Sequence, residues 1–136
     1  MVAQQTEHDG NLPDELWSDL VVAMLAVNNC SLEKTYAHLE GLKAAGLCSP
    51  ENLSAWGVDE IVQRLQQAGC NRGSFMTQLY AKRLSSLGAA TSATGTKKFT
   101  SILGCTSRSE VANLLLPING IGPRVLENFF LLRQLE

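Results

Sequence analysis

Apolar residues recur every three or four positions in each long segment of this 136-residue chain, and no stretch alternates apolar with polar. A three-to-four spacing lines one face of a helix, whereas a half-buried strand needs a period of two. The pattern admits one fold class, all-α, and the punctuation between segments marks where helices begin and end. Pro13-Asp14-Glu15 reads as a helix start, with proline in the first turn and acids at the positive end of the dipole. Leu16, Leu20, Val21, Met24 and Val27 form its inner stripe, and Asn28-Asn29 weakens it. Ser31 is placed to cap a second helix with the stripe Leu32, Tyr36, Leu39 and Leu42, and Gly46 is its natural stop.

Ser49-Pro50-Glu51 opens a short third helix that ends near Gly57. Asp59 is expected to cap a fourth, with Ile61, Val62 and Leu65 inside and Gly69 at its end. A fifth runs from about Ser74 to Leu87, before Gly88, and residues 89–96, AATSATGT, read as a small-residue link. Lys97 to Leu103 suits a short helix. Ser107-Arg108-Ser109-Glu110 is a capping-box pattern, and Pro123 sits at the start of a last helix carrying Val125, Leu126, Phe129, Phe130 and Leu132. Residues 107–135 are thus expected to form two antiparallel helices joined by a hairpin at Asn119 to Gly122. Trp17, Trp56, Tyr36 and Tyr80 are expected in the core.

Composition bounds the organisation. Hydrophobic content of 45% against 18% charged residues is globular rather than disordered. The expected division is a flexible N-terminus over residues 1–12 and one helical domain over residues 13–136. No apolar run approaches the roughly 20 residues that span a bilayer. The N-terminus, MVAQQTEHDGNLPDE, lacks the features of a signal or transit peptide, so the expectation is a cytoplasmic protein with no membrane partner. Cys30, Cys48, Cys70 and Cys105 form no CxxC pair, and His8 and His38 lie at no ligand spacing from them. No metal or other cofactor is called for, and the thiols read as reduced, buried small hydrophobes.

The net charge of −2 conceals an asymmetry. Residues 1–60 hold ten acids and two bases, while residues 61–136 hold nine bases and three acids. Such a split fits a face built for a polyanion, and fits equally two halves that pair with each other. Lys82-Arg83 and Lys97-Lys98 either track a phosphate backbone or form a solvated face.

The stretch INGIGPRVL sharpens the question. Gly120 and Gly122 carry no side chain and reach backbone angles closed to other residues. Amides ahead of the helix begun by Pro123 would point outward at the positive end of its dipole, an arrangement that holds phosphate. A plain helical-hairpin turn explains the same residues.

Beyond the hairpin, LKAAGLCSPENL and QQAGCNRG, in unbroken order from about Leu16 to Leu132, make the chain resemble a family. It is similar to the helix-hairpin-helix DNA glycosylases of the endonuclease III superfamily, nearest the branch that removes alkylated bases such as 3-methyladenine. The resemblance implies an all-α fold that kinks duplex DNA, flips a nucleotide and hydrolyses its glycosidic bond. It places the DNA-binding hairpin on Asn119, Gly120, Ile121, Gly122, Pro123 and Arg124, with Ile121 as the pin between the glycines. The family's Gln-Asn-Thr segment, which inserts an amide into the duplex, falls on Asn28, Asn29 and Cys30. Asn28 is the shorter amide, and Asn28-Asn29 also reads as a simple helix breaker.

Two departures bear on chemistry. The position of the Schiff-base lysine in bifunctional members is Arg124, which stays protonated and cannot act as that nucleophile. The family's catalytic aspartate would lie past Glu136, so no catalytic residue is assigned. Three functions follow as expectations. The first is a catalytically degenerate DNA-binding relative in base excision repair. The second is an active N-glycosylase for alkylated bases, if the chain is a fragment, an alternative carboxylate is used, or a protein partner completes the site. The third is a helical protein-interaction module.

Overall fold

The computed structural model describes residues 15–26, 32–70, 73–105 and 107–135. Every regular element among them is helical, so the fold is all-α. Residues 15–25 form α1, followed by α2 (Leu32–Tyr36), α3 (Leu39–Ala44), α4 (Pro50–Ala55) and α5 (Val58–Gln67). Then come α6 (Ser74–Thr94), α7 (Thr96–Leu103), α8 (Arg108–Leu115) and α9 (Pro123–Leu135). Among the described residues no helix is long and apolar enough to cross a membrane. Residues 1–12, the helix start at Pro13-Asp14 and the cap at Ser31 lie outside the described residues.

The centre of the molecule is α1. Every residue from Leu16 to Ala26 is buried: apart from Ser18 and Asp19 the segment is apolar all round, and such a helix has no solvent face and must sit among others. Its sequence suggested one stripe; the structure covers both sides. From α7, Phe99 stacks on Trp17 with ring centroids 5.4 Å apart, and Trp17 Nε1–H donates to Thr100 Oγ1 at 3.1 Å. From α9, Arg133 meets the buried Asp19 carboxylate at 3.0 Å. Asn128 Nδ2 donates to the carbonyls of Ala23 and Ala26 at 3.3 and 3.0 Å, serving polar groups at the end of α1 that a helix leaves open.

Around α1 the expected second helix is two. A tight turn at Ala37 and His38 separates α2 from α3, with His38 N–H donating to the carbonyl of Thr35. A stripe through Leu32, Tyr36 and Leu39 needs one continuous helix. With the break, Tyr36 turns outward to 44% exposure, and only Leu42 of that set is fully buried. Gly46 does end α3: it takes φ +84°, and Gly46 and Leu47 N–H groups donate back to Lys43 and Leu42. Ser49 caps α4 by accepting from Asn52 N–H at 3.3 Å. The cap of α5 is Gly57, and Asp59 lies in the first turn, where its charge still meets the dipole.

The largest departure is α6. Expected to stop before Gly88, it continues to Thr94 and absorbs residues 89–94 of the supposed link. Only Gly95, at φ +100°, breaks the run. Small residues give no apolar stripe, yet alanine is a strong helix former and small side chains permit close approach. α6 packs along both α4 and α5. A Cβ on Gly88 would stand 2.4 Å from the carbonyl carbon of Leu53, so this glycine is where α6 touches the backbone of α4. The thiols of Cys48, Cys70 and Cys105 are half-buried rather than buried, and Cys30 lies outside the described residues. Tyr80 and Trp17 are in the core, while Trp56 is half-buried.

Candidate nucleic-acid interface

Ser107 caps α8 through a 3.4 Å bond from Glu110 N–H to its Oγ, one half of the expected capping box; the Ser107 N–H donates instead to Cys105 Sγ at 3.4 Å. Val111 and Leu115 bury the inner face of α8. The chain then closes in steps: Leu116 N–H donates to Ala112, Ile118 to Leu115, and Ile121 to Ile118. Leu126 N–H to the carbonyl of Gly122, at 3.2 Å, opens the ladder of α9. Ile118 and Ile121 are both buried, and they hold the turn down on the core. Ile121, the expected pin, therefore belongs to the interior, while Asn119, Pro123 and Arg124 are exposed.

The two hairpin glycines separate. Gly120 takes φ +96°, and a Cβ there would lie 2.4 Å from Cγ of Arg83. It needs to be glycine for its own fold, both for backbone angle and because the stem of Arg83 lies against it. Gly122 does not enter the left-handed region, and a Cβ on it would meet nothing within 4 Å. That corrects the expectation that both glycines serve backbone angles. The contact at Gly120 also carries Arg83 of α6 to the hairpin, a juxtaposition that no spacing in the sequence discloses.

The positive second half is partly spent inside the molecule. Arg64 lies 4.3 Å over the Trp56 ring and bonds Glu60 at 2.7 Å. Arg133 is held by Asp19. Arg108 lies 5.0 Å from the Phe130 ring centroid, at a cleft of about 290 Å³ between α7, α8 and α9. Lys82, Lys97, Lys98 and Arg124 are exposed, and among the described residues none of them pairs with a carboxylate. Some bases of the second half therefore serve the fold and others face solvent.

Asn28 and Asn29 lie outside the described residues. The turn before them is tied by Asn128, a residue the sequence reading passed over. Its signal was available: one amide inside the apolar run of α9. Glu127, the carboxylate nearest the hairpin on α9, is exposed, which gives it no pocket in which to meet a reacting sugar. Among the described residues no three His, Cys, Asp or Glu side chains gather to hold a metal.

The fold and the hairpin define a class, an all-α domain with a capped helical hairpin near its C-terminal end. No protein-family model, curated protein or solved structure matches the chain.

Proposed function

We propose that the chain binds duplex DNA through the backbone of the α8–α9 hairpin, as a non-catalytic relative of the helix-hairpin-helix glycosylases it resembles. The observation that carries this reading is the emptiness around Gly122. Its glycine is required neither by backbone angle nor by internal packing, so the missing side chain leaves room for something outside the fold. What lies there suits a phosphate: the N-terminus of α9, which Pro123 opens, and the exposed guanidinium of Arg124. Arg83, packed against Gly120, adds a second cation beside the turn.

The hairpin supplies grip and no chemistry. Arg124 remains protonated and cannot form a Schiff base. A backbone grip reads no sequence, so binding is weak, largely sequence-independent and steeply dependent on salt through counterion release. The test is a fluorescence-anisotropy titration of the protein on a short duplex at several salt concentrations. Arg124→Glu is expected to weaken binding and to flatten the salt slope by about one unit. Absence of duplex binding at low salt would overturn the reading in favour of a protein-interaction module.

A further inference from the structure

We propose that the protein takes duplex DNA carrying a single-stranded extension, with the duplex on the hairpin and an unpaired base on Phe75. The inference rests on the duplex-binding reading of the hairpin and adds a second contact to it. Seven bases and no acid lie between Glu60 and Glu110, so α6 and α7 carry charge of one sign. On α6, Lys82 is exposed and pairs with no carboxylate among the described residues. Beside it, Arg83 packs its stem against Gly120 of the hairpin. The helix is therefore a basic track that starts at the proposed phosphate grip.

One aromatic ring stands on that track. Phe75 is 77% exposed, whereas the other exposed large apolar side chains among the described residues, Tyr36, Leu116 and Leu131, are 44%, 44% and 46% exposed. A ring this open forgoes the burial that ordinarily holds phenylalanine in a core. Phe75 and Lys82 are seven residues apart, close to two turns, so they share one line of the helix with exposed Gln78 between them. Cations with an open ring among them suit a single strand, its phosphates on the cations and a base face on the ring. Inside a duplex both faces of a base are taken by its neighbours, so Phe75 can stack only on a base that has left the helix. The ring lies eight residues before Arg83, ~12 Å along the axis. That is about three to four nucleotides at the ~3.4 Å rise of one strand, so a short extension from the hairpin reaches it.

The test titrates the whole chain by anisotropy at low salt on three kinds of duplex. One is blunt, one carries an extension of about six nucleotides in either polarity, and one carries the same extension without its bases. The abasic extension keeps every phosphate, so the comparison isolates stacking from charge. In one polarity the extension with bases is expected to bind about tenfold more tightly than the abasic one, the scale of a single base on a ring. Phe75→Ala should erase that difference while blunt-duplex affinity and the Tm hold, and Phe75→Trp should keep it. Equal binding of the two extensions, or a difference that survives in Phe75→Ala, would overturn the proposal and leave the hairpin reading standing. A lower Tm for Phe75→Ala would also overturn it, since the ring would then serve the fold. A blunt duplex left unbound would remove the hairpin reading, and this inference with it.

Discussion

A Cβ on Gly120 would strike the stem of Arg83, and its φ of +96° is one that L side chains avoid. Two residues on, Gly122 has ordinary angles and open space. Threonine at each position separates the roles. Gly120→Thr should lower the Tm, since the left-handed backbone costs a branched residue roughly 1–2 kcal/mol before Arg83 is displaced. Gly122→Thr should leave the Tm almost unmoved, because threonine is about as good as glycine at a helix N-cap. Its added methyl and hydroxyl should still weaken the proposed phosphate contact. Thermal melts paired with anisotropy on a duplex check both, and a Gly122→Thr variant that binds like the wild type would count against the backbone grip. The Gly-x-Gly pattern was legible as a break between helices. Which glycine answers to the fold was not, because that depends on where Arg83 arrives from a helix 37 positions earlier in the sequence.

At the scale of elements, the starts at Ser49, Ser107 and Pro123 were read correctly, while the cap expected at Asp59 and the continuations were not. Ser49, Ser107 and Pro123 act through neighbours a few residues away, and the structure places helix starts at all three. The length of α6 is different. Residues 89–94 have no periodicity to mark them as helical, yet α4 and α5 lie along α6 and Gly88 sits against the α4 backbone at Leu53. Packing of that kind outweighs the modest helix cost of one glycine, about 1 kcal/mol. Gly88→Ala improves helix propensity and should nevertheless destabilise the protein, by about 1–3 kcal/mol, because the extra methyl overpacks a backbone contact. Denaturant unfolding measures this, with Ala89→Ser on the exposed side of the same helix as the neutral control. A more stable Gly88→Ala protein would mean that α4 yields easily at that point. The opposite error fell on the second helix: a good stripe did not keep α2 and α3 continuous, and Tyr36 went to the surface.

For the molecule as a whole, the expected chemical outcome is silence. Base excision needs a flipped nucleotide held against a positioned carboxylate in a pocket that excludes water. The carboxylate nearest the hairpin on α9, Glu127, is exposed, and Arg124 stays protonated and cannot act as a nucleophile. The 136 residues as they stand should release no free base from DNA containing 3-methyladenine above the spontaneous rate. Loss of a positioned general base forfeits on the order of 10²–10⁴ in rate, so the assay needs that sensitivity. Turnover abolished by Glu127→Gln would show that Glu127 gains a pocket in the complex. What the sequence determined alone is what local chemistry governs: the helical class, the capped starts and the break before Pro123. Burial of α1 on all sides, the splitting of α2 from α3, the reach of α6 and the division of labour between Gly120 and Gly122 were decided by tertiary structure. Each turns on which distant backbone or side chain arrives at a given face, and a periodic pattern records that a face is apolar without recording what will cover it.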